Sequence, residues 1–88
     1  MEFEWDPAKA AANLEKHGIS FLGAATIFDG PVLTSRSDLG GEERWKAIGL
    51  LGGREIAVIY TIREGRYRII SARRARENER RAYRQAHP

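Results

Sequence analysis

The chain has no cysteine, one methionine, three prolines and only two histidines among its 88 residues. Without cysteine it can form no disulfide framework, no thiol nucleophile and no cysteine-ligated zinc site. One histidine lies at the extreme C-terminus, and no His, Asp and Glu residues cluster at the spacing of metal ligands. The sequence therefore excludes cysteine-dependent chemistry and predicts no metal site.

Long apolar runs are also missing. No segment approaches the roughly 20 apolar residues that a membrane-spanning helix needs, and the acidic opening Met1–Trp5 is unlike a secretory signal peptide. The length predicts a single domain, residues 1–88, near the lower limit at which one core holds a fold unaided. We therefore expect one small cytoplasmic domain without membrane attachment.

Arginine is abundant near the C-terminus. From Arg63 onward nine basic and three acidic residues give a charge of about +6, whereas six bases and nine acids give the rest about −3. The positive segment has the two-residue period of a strand over 66–72 and then a helix-like composition. Such a concentration of charge predicts a polyanion or an acidic protein as partner.

Two helices are predicted in the first half of the chain. Asp6-Pro7 is a start signal, because Asp accepts hydrogen bonds from free backbone donors and Pro lacks an N–H. The helix that follows is expected to end at His17-Gly18. Ser20 is the expected N-cap of a shorter second helix that reaches about Phe28.

Five segments have the character of strands, and they cover residues 2–5, 32–35, 44–51, 54–62 and 66–72. Gly52-Gly53 and Glu64-Gly65 are tight turns that would join the last three into an antiparallel meander. Residues 36–43 lack apolar periodicity and predict a mobile loop. The expected fold class is α+β. It is a small antiparallel sheet, formed by this three-strand meander and one or two N-terminal strands, with helices packed on it.

Several blocks of the sequence together resemble the BrnT family of type II toxins. They are Glu4-Trp5-Asp6, Lys9, Asn13, Lys16-His17-Gly18-Ile19-Ser20-Phe21, Gly41-Glu42-Glu43-Arg44, Ile48-Gly49, Arg68-Ile-Ile-Ser-Ala-Arg-Arg-Ala75, Glu79-Arg80 and Tyr83. The resemblance covers residues 5–83. It implies a RelE-like fold and an endoribonuclease that blocks translation, acting on RNA without a metal or other cofactor.

The same resemblance implies a partner. A cognate BrnA-like antitoxin, a ribbon-helix-helix protein, would neutralise the toxin in a heterotetramer and would make the only contact with DNA. The residues themselves leave two other interpretations open. One is a non-catalytic basic module that binds nucleic acid or an acidic protein, and the other is a family member that retains antitoxin binding alone.

The chain departs from the family pattern ahead of its last helix. The family often has Ser/Thr-Pro there, which forms a capping box with the glutamate that follows, whereas this chain has Arg76-Glu77. Glu79 then lacks a hydroxyl partner at the cap, and the helix could begin as early as Arg74. A second departure is Leu22-Gly23, where the family usually has acidic residues.

Cleavage of RNA by its own 2′-hydroxyl needs a base, cations that stabilise the added phosphate charge, and an acid for the leaving oxygen. Arg73 and Arg74 are the first candidates, because guanidinium groups at a helix N-terminus bind phosphate well. One of them could instead pair with Glu77 or Glu79. Adjacent strand residues face opposite ways, so we expect one of the two at the scissile phosphate, in a region where the arginines converge.

Arg44, Lys16 and His17 complete the candidate catalytic set. Arg44 opens a strand after the predicted loop, where a guanidinium can hold a phosphate. Histidine is the residue type suited to proton transfer near neutral pH, although His17 could instead cap the carbonyls of its own helix. Asn13 lies one helical turn before His17 and is a candidate for orienting its ring.

Four further residues are candidates for RNA binding, and they are Arg80, Trp45, Tyr83 and Tyr60. Trp45 could stack on a base or anchor the core. Tyr60 shares a predicted strand face with apolar residues, which favours burial. Tyr83 lies four residues after Glu79, a candidate orienting residue, so it could either bind RNA or pack the helix against the sheet.

Overall fold

A computed structural model describes all 88 residues. The elements in chain order are β1 (Glu2–Glu4), α1 (Pro7–His17), α2 (Phe21–Ala25), a 3₁₀ helix (Thr26–Asp29), β2 (Leu33–Arg36), β3 (Trp45–Leu51), β4 (Arg54–Arg63), β5 (Arg66–Arg74) and α3 (Glu77–Ala86). None of the helices combines the length and the apolar character needed to cross a membrane.

The five strands form one sheet in the order β1-β5-β4-β3-β2. β3, β4 and β5 are the predicted antiparallel meander, and β2 pairs antiparallel with β3. β1 runs parallel to β5, so the sheet is mixed rather than purely antiparallel. The α+β class is confirmed, with both N-terminal strands included, and it is the architecture expected of a RelE-like toxin.

Local capping sets the ends of the first two helices. The Asp6 carboxylate accepts a hydrogen bond at the start of α1, and Gly18 ends that helix with a φ of 69°. Ser20 caps α2 as predicted. The chain then tightens into the 3₁₀ helix, because the Thr26 hydroxyl donates to the Gly23 carbonyl (2.6 Å) and competes with the α-helical bond.

The predicted loop contains more order than its sequence suggests. Leu39 and Glu42 form a β-bridge with N···O distances of 3.1 and 3.0 Å. The Asp38 carboxylate accepts two hydrogen bonds from Arg36 and one from the backbone N–H of Arg44. The loop is therefore tied to the ends of both flanking strands.

The two faces of the sheet are covered by different helices. On one, the core face, α1, α2 and the 3₁₀ helix bury a nine-residue cluster. It consists of Phe21, Ala24, Ile27, Ala47, Ile56, Val58, Tyr60, Ile69 and Ala72. On the other, the α3 face, α3 buries four residues, which are Ile48, Ala57, Ala75 and Tyr83. Most of the apolar burial that stabilises the fold is thus on the core face.

A β-bulge lies in the middle of β5. Ile59 pairs with Ser71 and Tyr60 pairs with Ile69, which leaves Ile70 as an extra residue without a partner on β4. The strand alternation therefore reverses its phase at this point.

The bulge changes which side chains share a face. Ile69 and Ala72 both lie in the core-face cluster, although a regular two-residue period over 66–72 would place them on opposite faces, so the predicted period is wrong at this point. Beyond the bulge, Arg73 lies on the α3 face and Arg74 on the core face. The two arginines are separated by the sheet.

Candidate functional site

A buried carboxylate on the α3 face holds two cations. The Glu79 side chain is 4% exposed, and it accepts hydrogen bonds from Arg73 Nη1 (2.7 Å) and Nη2 (2.9 Å). Lys46 Nζ lies 2.9 Å from Glu79 Oε2. Arg73 above all, with Lys46 and a backbone N–H, holds the pKa of Glu79 well below its usual range. These three side chains, the Glu79 cluster, carry one net positive charge.

The same carboxylate begins the last helix. Glu79 Oε1 accepts from the backbone N–H of Arg76 (2.8 Å), which is half of a capping box and needs no hydroxyl. α3 therefore begins at Glu77, and the suggested earlier start at Arg74 is wrong because that residue still belongs to β5. The cap places Glu79 where it also meets Arg73.

The α3 face is open and basic beside the Glu79 cluster. Lys46, Ile59 and Ser71 form one cross-strand row, and all three are partly exposed. Arg44 lies two residues before Lys46, so the period of the strand places it on the same face. Arg68, on the far side of that face, donates to Glu4 (2.7 Å). A polyanion laid across the strands would meet several cations.

Arg44 has hydrogen-bonding capacity that the fold does not use. Its Nε is buried and has no hydrogen-bond partner, and its Nη2 lies 3.5 Å from Glu42 Oε2. A buried donor without an acceptor costs about 1–3 kcal/mol, and the Arg44 side chain is 22% exposed, so part of it can meet a ligand. Arg44 is thus suited to bind an anion on this face.

A cleft of about 230 Å³ lies between β2, β3 and α3. Lys46 and Glu79 line one part of it, and Ser35 and Asn78 line another. The first-turn N–H groups of α3 lack intrahelical partners, and the helix dipole there favours an anion. The cleft joins a cation, hydrogen-bonding side chains and a helix N-terminus.

Lys16 and His17 lie elsewhere, at the exposed C-terminal end of α1 beside β5. With Lys9, Asn13 and Ser71 they line a shallow cleft, which we call the edge cleft. Ser71 belongs to the row next to the Glu79 cluster, so the edge cleft adjoins the α3 face. The five predicted catalytic residues therefore do not form one group.

Arg74 is the residue that departs most from the predicted convergence. It lines a cleft on the core face with Arg54 and His17, away from Arg73. The expectation that the arginines converge where the last strand meets the last helix is wrong, because strand alternation sends these neighbours to opposite faces.

Asn13 does not orient His17. Its Nδ2 donates to the carbonyls of Ile19 (3.0 Å) and Ala72 (2.9 Å), and its Oδ1 accepts from the Ala72 N–H (3.1 Å). Asn13 therefore forms hydrogen bonds with backbone groups at the outer edge of β5, beyond the residues that pair with β1. The predicted role is corrected to a structural one.

The two tyrosines are core residues. Tyr60 is 4% exposed and stacks on Tyr67 with ring centroids 5.1 Å apart, and burial raises its pKa. Tyr83 is also 4% exposed, and its hydroxyl donates to the Pro31 carbonyl (2.9 Å). Neither ring is open to a base, which corrects the prediction that they bind RNA.

Trp45 and Arg80 are also engaged within the fold. Trp45 packs against the core-face cluster, and the guanidinium of Arg36 lies 4.7 Å above its ring. Arg80 is half-buried and donates to the Ala75 carbonyl. Both predicted RNA-binding residues have intramolecular partners.

Sequence reasoning missed Lys46. Its signal was present, because Lys46 alternates with Trp45 and Ala47 and therefore shares a strand face with Arg44. What the alternation could not show is that Glu79, from the last helix, would reach the same point.

Comparison with known proteins identifies the family of the chain. A family model described as the ribonuclease toxin BrnT of type II toxin–antitoxin systems matches residues 5–79. No curated protein matches the chain. A ribonuclease family does not favour the interpretation as a non-catalytic binding module, and its members have an RNA substrate and a protein antitoxin. The match spans most of the 88 residues, and the chain therefore belongs to the BrnT family of ribonuclease toxins of type II toxin–antitoxin systems.

Proposed function

We propose that the chain cleaves RNA on the α3 face and that Arg73 and Lys46 bind the scissile phosphate. The observation that carries this proposal is the Glu79 cluster, in which one buried carboxylate holds both cations at an open basic surface. A phosphate that enters the adjoining cleft would exchange water for charge-assisted hydrogen bonds. The cations supply the positive charge that the reaction needs, and we propose that no metal is required.

In the proposed reaction the RNA 2′-oxygen bonds to phosphorus while the bond from phosphorus to the 5′-oxygen breaks. A 2′,3′-cyclic phosphate and a free 5′-hydroxyl result. The 2′-hydroxyl releases its proton to water, and Lys46 gives one to the 5′-oxygen. Among the cations on this face Lys46 has this role because an arginine keeps its proton. Arg73 and Arg44 stabilise the charge that grows on the phosphate oxygens.

Glu79 is a positioning residue in this proposal. A carboxylate whose pKa is lowered is a weaker base, so Glu79 is poorly suited to remove the 2′-proton. Its contacts instead fix the guanidinium plane of Arg73 and the ammonium of Lys46. Preorganised charge of this kind is the main source of catalysis when no strong base is present.

Lys16 and His17 are proposed to bind the RNA strand next to the reacting phosphate. The edge cleft shares Ser71 with the row beside the Glu79 cluster, so a strand leaving the α3 face can continue round the edge of β5. Contacts to phosphates next to the reacting one position the RNA without touching the reacting atoms.

We also propose a specific antitoxin and a specific assembly for the toxin. The antitoxin is BrnA-like, has a ribbon-helix-helix fold, forms a heterotetramer with the toxin, and carries all contact with DNA. The toxin acts in the cytoplasm, where cleavage of RNA inhibits translation. Co-expression with a BrnA-like ribbon-helix-helix protein followed by measurement of the complex mass tests this assembly, and a mass other than that of two toxins and two antitoxins would contradict it.

Neighbouring arginines provide a matched test of the site. Arg73→Ala should slow cleavage of single-stranded RNA by about 10²–10³-fold, the usual cost of one preorganised donor. Arg74→Ala should leave the rate within about threefold, because its side chain lies on the other side of the sheet. Both rates are measured with a metal chelator present.

Arg73→Lys serves as the folding control, because it keeps a cation beside Glu79 and loses only the planar fork. It should be folded by circular dichroism and should still cleave at least about tenfold more slowly than the parent. Equal losses from Arg73→Ala and Arg74→Ala, or complete inhibition by the chelator, would refute the proposed site or its metal independence.

A further inference from the structure

A second group of cations surrounds a cleft on the core face. The cleft has a volume of about 230 Å³ and lies where α1 ends beside the β3–β4 hairpin. Its cations are Arg54 and Arg74, His17 also lines it, and its aliphatic side chains are Ile19, Leu51 and Ile56. We call it the Arg54–Arg74 cleft. The proposed RNA cleavage makes no use of Arg54 or of the aliphatic floor.

The register of the strands places these cations close together. Arg74 pairs directly with Ile56 across β4 and β5, and Arg54 lies two residues before Ile56 on the same face of β4. Diagonal neighbours in a sheet are about 7–8 Å apart, which long side chains can bridge. Two guanidinium groups therefore flank one aliphatic side chain.

Neither guanidinium has a carboxylate partner. Arg54 and Arg74 form none of the chain's salt bridges and donate no side-chain hydrogen bond, whereas Arg73 and Lys46 are held by Glu79. Like charges at such positions repel each other. An anion bound between them would remove that repulsion as well as form new contacts.

The lining of the cleft distinguishes between possible anions. Single-stranded RNA is held by phosphate contacts and by stacking of its bases on aromatic rings, and the cleft has no Phe, Tyr or Trp ring and only the imidazole of His17. Ile19, Leu51 and Ile56 instead offer aliphatic surface between the cations. A carboxylate can bind the guanidinium groups, and a neighbouring branched aliphatic side chain can pack on the aliphatic surface. A protein segment presents that combination.

We propose that the Arg54–Arg74 cleft is a docking site for a short acidic and apolar segment of the antitoxin. The occupant follows from charge complementarity and from the protein antitoxin that the family possesses. The proposal rests on family membership and not on the proposed catalytic cluster, which lies on the opposite face. A segment seated here would also cover His17, which borders the edge cleft, and would thereby close one end of the proposed RNA path.

Nuclear magnetic resonance with defined peptides tests the proposal on the full chain. The probe is a capped hexapeptide of alternating leucine and glutamate. The controls are the serine–glutamate and leucine–lysine peptides and a uridine hexanucleotide. The leucine–glutamate peptide should shift the amide signals of Ile19, Leu51 and Ile56 most strongly. The three control ligands should leave these three signals largely unchanged.

The double variant Arg54→Ser with Arg74→Ser should weaken peptide binding about tenfold or more. Both side chains are exposed and unpaired, so the fold should be unaffected, and Arg81→Ser is the matched control for loss of a surface arginine. RNA cleavage is measured on the same samples and should be unchanged. This readout separates failure of the docking site from failure of the proposed catalytic site.

Three results would overturn the docking site. They are shifts confined to the α3 face, equal shifts with the serine–glutamate peptide, and shifts of the cleft by the uridine hexanucleotide alone. Loss of RNA cleavage in the double variant would also overturn it, because the cleft would then belong to the RNA site.

Discussion

The two faces of the sheet differ in what holds their helices. On the core face α1, α2 and the 3₁₀ helix bury apolar side chains. Four aromatic rings, Phe3, Phe28, Tyr60 and Tyr67, each have a centroid within 5.7 Å of at least two of the others. On the α3 face the helix is anchored mainly by polar contacts. Apolar burial on the core face stabilises the fold but is not directional. The hydrogen bonds on the α3 face have a preferred geometry, and little apolar surface is buried there.

The polar contacts of α3 are distributed along its length. Glu79 holds Arg73 near its start, the Tyr83 hydroxyl reaches Pro31 in its middle, and Arg84 donates to Glu55 (2.8 Å) near its end. Ion pairs and hydrogen bonds fix position and angle more strictly than apolar contact does. The α3 face can therefore leave charged side chains partly exposed, because the stability of the fold does not depend on burying them.

The largest expected loss of stability comes from removing a buried side chain of the core face. Phe21→Ala should lower the free energy of unfolding by about 3–5 kcal/mol, because Phe21 is 1% exposed and its removal leaves a cavity. Urea denaturation measures the loss. The adjacent Leu22 is 71% exposed, so Leu22→Ala should change stability by less than about 0.5 kcal/mol. Equal losses from these two variants would show that the core does not lie where the structure places it.

The next largest effect on stability is expected in the Glu79 cluster on the α3 face. Glu79→Gln should lower stability by about 2 kcal/mol at neutral pH, because it removes hydrogen bonds from two cations to a charged group. The pKa of Glu79 is lowered in the folded state, so the unfolded chain binds more protons in acid. This stabilisation is therefore complete above the ordinary value of 4.5 and is lost as the pH falls below it.

Denaturation curves at a series of pH values check the sign. The parent and Glu79→Gln should differ most near neutral pH and should converge in acid. The variant should keep a smaller dependence on pH, because the pKa values of Asp38 and Glu55 are lowered by hydrogen bonds from Arg36 and Arg84. A difference that stays constant from neutral pH to about pH 3 would contradict the assigned ion pair.

The smallest effect tests a single polar anchor of α3. Tyr83→Phe keeps the buried ring and loses the hydrogen bond to Pro31, which should cost about 1 kcal/mol and lower Tm by about 4–8 °C. Arg81→Ala, which removes an exposed pair with Glu77, should cost no more than about 0.5 kcal/mol. If Tyr83→Phe were as mild as Arg81→Ala, apolar contact alone would hold the helix.

Local sequence signals predicted the elements well. The cap at Asp6, the end of α1 at Gly18 and the turn at Gly52-Gly53 are each specified by two or three adjacent residues. The bulge at Ile70 could not be predicted, because alternation is regular on either side of it and the extra residue is set by pairing with β4. Family membership, which combines many such signals over residues 5–79, was also accessible from sequence.

The candidate site was predicted less well, for a related reason. Residue type and position led to the proposal of Arg73 and Arg44, whereas Lys46 was not proposed from the sequence, and Tyr60 and Tyr83 were candidates for RNA binding although they are buried. Residue type shows which interactions a side chain can form. The residues packed around it in the folded chain determine whether it is exposed to a ligand.

By itself the sequence determined the α+β class, the order of the elements, the positive C-terminal third and the toxin family. Only the tertiary structure decided that Arg73 meets Glu79 and Lys46 while Arg74, one residue later, joins Arg54 on the other face. The physical reason is that a strand directs successive side chains to opposite sides. Which side each one takes depends on the bulge and on long-range cross-strand register, and no short stretch of the chain specifies either.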